Sequence, residues 1–341
     1  MKKRYLAGLL ALALSTSLVV PCYASDSNRT EIWKIAAMGS ETNPTTQGWY
    51  IFEKLIEEQL DTVDVQVFIN GQLGTSTDAC VGGMQTNIIQ FSDISIGNVV
   101  EYSNAFLPMD TPFLFADRDT ALSAVDGDVG KMMAEQFESD ADVVTLGYWD
   151  YGFRELTNSK KAIASLDDMD GLKIRTLSSN TYIEMLNALG ANATTMAYAE
   201  VFTGLQQGTI DGQENPLSTI VDAGFYEVNP YLTMTDHVYG FLGFFCGADW
   251  FYGLDEEVQE IVRSCAAEAI SQQREINAAS EEAAIKTLEE AGVEITYLDD
   301  ETKAAFREAT SSIWEDIRSK TDKSFGEEYY QSIVDAAGIQ S

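Results

Sequence analysis

Apolar positions recur every three or four residues over Thr46–Leu60, where Trp49, Phe52, Leu55 and Ile56 share one side, and this spacing predicts an amphipathic helix. Before it Ile32–Met38 is a short apolar run, and after it Val63–Ile69 alternates as VDVQVFI, so both predict strands. The alternation continues with a helix near Ser76–Thr86, a strand at Ile94–Ile96, a helix beginning near Asp117 and a strand at Val143–Tyr148. Leu172–Leu177 predicts a strand and Ala199–Gln207 a helix, with Gly208 placed where a left-handed residue ends it. Thr209–Glu214 then reads as a strand, and Tyr231–Phe245 is apolar and β-rich. Asp255–Ala291 contains neither glycine nor proline, and Val258, Ile261, Val262, Cys265, Ala269, Ile276 and Ala283 run along one side. At about 1.5 Å per residue that helix exceeds roughly 50 Å, a length that suits a helix spanning two domains. A strand at Val293–Leu298 and helices over Glu301–Lys320 and Phe325–Ala337 complete the chain.

Strands alternating with helices predict α/β domains with parallel or mixed sheets. The 341 residues, 45% hydrophobic, suffice for two such domains. No low-complexity linker divides them, which implies that the chain crosses between domains more than once.

Met1–Ala24 stands apart. Lys2, Lys3 and Arg4 precede an apolar run from Tyr5 to Val20, and Cys22-Tyr23-Ala24 ends at Ser25, the pattern of a cleaved secretory signal. A membrane anchor is the competing reading, but the run is near the short limit for spanning; Pro21 before Cys22 argues against lipid attachment. The chain carries 21 Lys and Arg against 54 Asp and Glu, a formal charge of -33, and losing the leader deepens the imbalance. This excludes nucleic acid as a partner and makes any anion site local and short-ranged. Beyond the leader remain Cys80, Cys246 and Cys265. An odd number allows at most one disulfide within the chain, for which Cys246 and Cys265 are one pairing; three buried thiols are the other outcome.

The candidate chemistry concentrates between Gly147 and Pro216. Arg154 and Arg175 lie in β-like contexts of a strongly acidic protein, and a buried guanidinium needs an anion, either an internal carboxylate or a ligand. Trp149, Asp150 and Tyr151 fall where the chain crosses between domains, so they either touch a ligand in the cleft or pack the hinge. Asn215 and Asn98 each lie at the end of a predicted strand, where ligands of open α/β sheets sit. His237 is the only histidine and has no partners at a spacing suited to catalysis or metal binding. DDMDG at 167–171 lacks the oxygen ligands of a calcium loop and reads as a solvated turn. With no G-x-S-x-G or H-E-x-x-H, the chain is expected to be a non-enzyme that needs no metal or cofactor.

The phrases GFRELTNS, GLKIR and above all LQQGTIDGQENP, together with IWKIAAMG, NGQLGTSTD, DTPFLFAD and the long late helix, cover nearly the whole chain after the leader. On these residues the sequence resembles the substrate-binding component of tripartite ATP-independent periplasmic (TRAP) transporters, the DctP-type family. The resemblance implies a type II periplasmic-binding architecture: two α/β domains around a cleft, joined by crossing strands and a long connecting helix. Residues 25–150 plus about 240–278 would form the first domain, and 151–239 plus about 279–341 the second. It implies a periplasmic monomer that closes on a small organic acid and delivers it to membrane subunits. Within the family's pattern Arg175 would hold the ligand carboxylate by a two-pronged contact. Arg154 would approach the ligand or orient Arg175, Asn215 would close on the carboxylate, and Tyr198 would line the pocket. Asn43-Pro44 replaces the His-Pro of many members, and Gly82-Gly83 is unusual for the helix after NGQLG. Trp149, Tyr151 and Tyr198 suit an aromatic acid, whereas Asp150 and Asn98 suit a hydroxylated acid such as a sugar acid. A sensing subunit of a signalling receptor and a secreted hydrolase are the alternative functions.

Overall fold

The computed structural model describes residues 31–339, so the leader and Cys22 lie outside the described residues. The chain opens with β1 (Glu31–Ala36), α1 (Pro44–Gln59), β2 (Val63–Phe68), α2 (Thr77–Gln85) and β3 (Phe91–Ser95). A 3-10 helix over Asn104–Asp110, α3 (Arg118–Asp126) and α4 (Asp128–Ala141) then lead to β4 (Val143–Asn158). After β4 come β5 (Lys173–Thr176), α5 (Asn180–Ala188), β6 (Asn192–Thr195), α6 (Val201–Gln207), β7 (Gly212–Pro216) and α7 (Leu217–Asp222). β8 (Tyr231–Met234), β9 (Tyr239–Gly247), α8 (Ala248–Tyr252) and α9 (Glu256–Glu290) follow, then β10 (Glu294–Tyr297), α10 (Asp300–Ala309), α11 (Ser311–Phe325) and α12 (Glu327–Ala336).

The sheet order is β2-β1-β3-β9-β4-β7-β5-β6, with β8 pairing both β4 and β10. β1, β2 and β3 are parallel to one another, and β9 runs antiparallel between β3 and β4. This is the sheet of the first lobe. The second lobe uses the far half of β4, which pairs antiparallel with β7 from Arg154 to Asn158, while β5 is parallel to β7 and to β6. β4, at 16 residues, therefore belongs to both lobes. Its first half was predicted as Val143–Tyr148; the continuation is hidden in the sequence because two bulges, between Thr145 and Gly147 and between Asp150 and Gly152, break the alternation of faces.

Local chemistry explains why these elements form. Asn43 accepts the amide of Thr45 at 2.9 Å and Pro44 opens the first turn of α1, which is favourable helix-entry chemistry. The buried side of α1 sets Trp49 and Phe52 against Phe91 and Phe244, with ring centroids between 4.3 and 6.2 Å and steeply inclined planes, an edge-to-face cluster at the centre of the first lobe. A methyl group on Gly48 would lie 2.7 Å from Trp149 and 3.0 Å from Gln273, so α1, β4 and α9 meet there only because that residue has no side chain. β9 is buried at every position, as expected for a strand covered on both faces.

α9 has 35 residues, which at about 1.5 Å each spans roughly 52 Å. Gln273 accepts the amide of Asp150 at 3.1 Å and donates to its carbonyl at 2.7 Å, and two turns later Glu281 accepts the amide of Ser218 on α7 at 2.8 Å. One helix thus fastens both halves of the structure. Two predicted elements are split. Tyr231–Phe245 divides at Asp236, whose φ of +49° turns the chain between β8 and β9. Glu301–Lys320 divides at Thr310, whose hydroxyl bonds back to the carbonyls of Phe306 and Arg307 at 3.1 and 3.0 Å. α12 packs on the 3-10 helix over Asn104–Asp110 and on α3 and α4, and Tyr329 Oη donates to the Ala105 carbonyl at 3.1 Å. Among the described residues the cysteines are three buried thiols, Cys80, Cys246 and Cys265. Cys246 and Cys265, one pairing the sequence allows, stay unbonded in the first-lobe core, and Cys265 Sγ accepts from Gln59 at 3.0 Å.

Candidate functional site

Between the lobes lies a cavity of about 280 Å³. Its second-lobe wall is made by the middle of β4, the ends of β5 and β7 and the segment before α6; its first-lobe wall comes from the loop after β1, the end of β3 with the loop that follows it, and the start of α2. Six of the eight residues singled out from sequence line it: Asn98, Tyr151, Arg154, Arg175, Tyr198 and Asn215.

Trp149 and Asp150 do not, which corrects their expected placement at the ligand. Trp149 is fully buried in the first-lobe core, stacked on Phe244 at 4.8 Å with planes 17° apart and set edge-on to Trp49 at 5.1 Å. At about 3.3 Å per strand residue, it lies two steps short of Tyr151, which does reach the cavity. Asp150 points to the opposite face, where its carboxylate takes Arg118 Nε at 2.8 Å and Tyr239 Oη at 2.6 Å. Trp149 thus packs the first-lobe core.

Arg154 is already ion-paired. Its Nε bonds Glu214 Oε2 at 2.5 Å, and its Nη2 reaches Glu214 Oε1 and Asn215 Oδ1, each at 3.1 Å, and the Glu214 carbonyl at 2.8 Å. Glu214 also accepts from Thr176 at 2.6 Å and lies 3.2 Å from His237 Nε2. Burial alone would push the Glu214 carboxyl up, but Arg154 and His237 beside it hold it down to about 2. Burial likewise opposes the charge of Arg154, and Glu214 more than restores it, raising the guanidinium above its ordinary value. His237, read from sequence as an ordinary strand histidine, is a buried member of this network between β8 and β9.

Arg175 is different. It is 5% exposed and has no ion pair among the described residues. Nε and Nη2 both donate to the Met196 carbonyl, at 3.0 and 2.7 Å. That occupies one edge of the guanidinium and fixes its plane, while the Nη1–Nη2 end remains for another acceptor. Burial, the largest influence, brings this guanidinium down to about 10. Asn215 is half committed: Oδ1 accepts from Arg154 and from Tyr151 Oη at 3.2 Å, and Nδ2 donates to Gln213 at 2.6 Å, leaving one amide hydrogen.

The first-lobe wall carries a residue that sequence reasoning missed. Asp93 is 3% exposed and lines the cavity, and Trp49 Nε1 donates to its Oδ1 at 2.8 Å. Burial pushes its carboxyl up to about 7 against the pull of Trp49. Nothing in the run FSDISIGN distinguishes this aspartate from a surface one, since its partner is 44 residues away.

The lobes also bond directly around the cavity. Asp222 at the end of α7 accepts from the Ser40 amide at 3.4 Å, from Ser40 Oγ, from Thr42 Oγ1 at 3.0 Å and from Asn43 Nδ2 at 3.4 Å. On another side Asn98 accepts the Ser178 amide at 3.2 Å and Asp110 accepts from Ser179 Oγ at 3.3 Å. Asn43 thus caps α1 and reaches the opposite lobe at once. Among the described residues no cluster of His, Cys, Asp and Glu could hold a metal, and no helix is long and apolar enough to cross a membrane.

Two α/β lobes joined by a shared strand and a long helix, with a cavity between them that holds an arginine bonded to no carboxylate among the described residues, define a solute-binding receptor of the two-domain periplasmic type. The chain belongs to the bacterial extracellular solute-binding protein family 7, the DctP family, whose model matches residues 35–321. It is 35% identical over 260 residues to the 2,3-diketo-L-gulonate-binding periplasmic protein YiaO of Escherichia coli K12, covering 76% of this chain and 78% of that one. The structure is similar to the sugar acid binding protein DctPAm of Advenella mimigardefordensis in complex with galactonate, with a TM-score of 0.86 and 30% identity over 91% of this chain and 98% of that one. It is also similar to a TRAP periplasmic solute-binding protein of Sulfurospirillum deleyianum with bound succinate, with a TM-score of 0.83 and 28% identity over 89% and 98% of the two chains.

Proposed function

We propose that this chain is the periplasmic receptor of a TRAP transporter, exported by a cleaved leader, which captures a small organic carboxylate between its lobes and hands it to membrane subunits. One observation carries the reading: Arg175 lines the cavity from a buried position and forms no ion pair among the described residues. A ligand carboxylate across the free Nη1–Nη2 end would supply that charge in two parallel bonds. Asn215 adds its remaining amide hydrogen, Arg154 holds Asn215 in place, and Tyr151 and Tyr198 cover the ligand. Asn98 contributes from the first lobe.

The first domain comprises 25–150 and about 240–278, and the second 151–239 and about 279–341, with α12 leaning back onto the first. The hinge runs through β4, the β8–β9 connection and α9, the segments common to both. The ligand leaves unchanged, so the chain acts as a monomeric carrier and not as a catalyst. Native mass spectrometry of the purified protein tests this: a small acid released on denaturation is expected. Failure of every organic acid in a broad panel to bind the unfolded-and-refolded protein would contradict it.

A further inference from the structure

The two walls of the cavity differ in charge. The cations among its lining residues are Arg154 and Arg175, both on second-lobe strands, and Glu214 already neutralises Arg154. The first-lobe wall has no lysine, arginine or histidine; it presents Asp93 at depth and Asp78 and Glu101 at the exposed rim, between the side-chain amides of Asn43 and Asn98. Asp78 accepts from Tyr102 Oη at 2.5 Å. Asp93 keeps Oδ1 on Trp49, and its Oδ2 takes no side-chain hydrogen bond among the described residues.

From this polarity we infer that the cavity takes a polyhydroxylated monocarboxylate, of the aldonate or uronate kind, and that Asp93 is the residue that selects it over dicarboxylates. The inference rests on the receptor reading given above. An acid docked on Arg175 extends its far end toward Asp93. A second carboxylate placed there meets a like charge in a poorly solvated site with no cation to offset it. A hydroxyl placed there donates to the Asp93 carboxylate, a charged acceptor whose side-chain partner among the described residues is Trp49. A site built to bond a substrate hydroxyl also rejects analogues that lack it. Asn98 Oδ1 is held by the Ser178 amide, so its Nδ2 is the side-chain donor this wall adds for a hydroxyl oxygen.

Titration calorimetry at pH 8, with galactonate, glucuronate and succinate as probes, tests this on the whole mature protein. The wild type is expected to bind at least one of the sugar acids 100-fold or more tighter than succinate. Asp93→Asn, which keeps the acceptor for Trp49 but removes the charge, is expected to narrow that ratio at least tenfold. Asp93→Ser serves if the first variant fails to fold and is expected to move the ratio in the same direction. Succinate binding as tightly as the sugar acids, or a ratio unchanged in the folded variant, would overturn the inference while leaving the receptor reading intact. A protein that binds neither class overturns the inference, and the broad acid panel given above then decides the receptor reading separately.

Discussion

Arg154 and Arg175 sit on β4 and β5, the two strands flanking β7 in one sheet, yet their surroundings are opposite. Arg154 lies against Glu214, whose carboxylate meets it in two bonds. Arg175 is in register with the neutral Gln213, and the acceptor it finds is a backbone carbonyl. Because successive strand residues point to opposite faces, the single step from Gln213 to Glu214 decides which arginine is neutralised. The same sheet therefore holds one cation paired with a carboxylate and one bonded only to a backbone carbonyl among the described residues.

Glu214→Gln tests the structural half of that contrast and carries the largest expected effect. Leaving Arg154 buried without its partner should cost about 3–5 kcal/mol of stability, the range for one half of a buried ion pair. Urea unfolding reads this directly, and a loss below about 1 kcal/mol would mean that Arg154 needs no carboxylate.

Asp222→Ala separates lobe closure from ligand contact. Asp222 itself does not line the cavity, so removing this acceptor of Ser40, Thr42 and Asn43 deletes no cavity-lining side chain. Hydrogen bonds to a charged group are worth about 1.5–3 kcal/mol, and exposure of this cluster places the expected loss near the lower end. Stopped-flow binding should show faster ligand release with an unchanged association rate. A slowed association instead would place the contact in capture and not in retention.

The carboxyls divide as the arginines do, and pH distinguishes them. Asp93, Asp110 and Glu281 are raised by burial to about 7 from ordinary values of 3.8 to 4.5. The folded state therefore binds more protons than the unfolded one between about pH 4 and 7, so their contribution is greatest below that window and is lost as pH rises through about 7. Glu214, held down to about 2, contributes above pH 4.5 and loses that as pH falls through about 2. Calorimetric melting of the ligand-free protein should show a lower Tm at pH 8 than at pH 5.5; a flat or rising Tm would mean that those acids are solvated.

Much of this was legible in the sequence. The 3.6-residue spacing of α1, the alternation of β2 and the glycine-free run of α9 follow from burial on one face, which any local pattern preserves. Arg175, Arg154 and Asn215 stood in recognisable phrases and Tyr198 at an aromatic position just before α6, and all four line the cavity. Trp149 and Asp150 were misplaced because bulges in β4 reset which face each side chain takes, and a bulge depends on the partner strand. Asp93 and Asp222 were hidden for a related reason: their partners, Trp49 and the Ser40–Asn43 turn, are distant in sequence and meet them only in the fold.

The cation on β5 is best tested by calorimetric titration of Arg175→Ala beside the wild type with the acid found to bind. Affinity is expected to fall by about 2–5 kcal/mol, the range for half of a desolvated charge pair, with Arg175→Lys also weakened because a point charge cannot present two parallel donors. Unchanged affinity in folded Arg175→Ala would contradict the assignment of that guanidinium to the ligand.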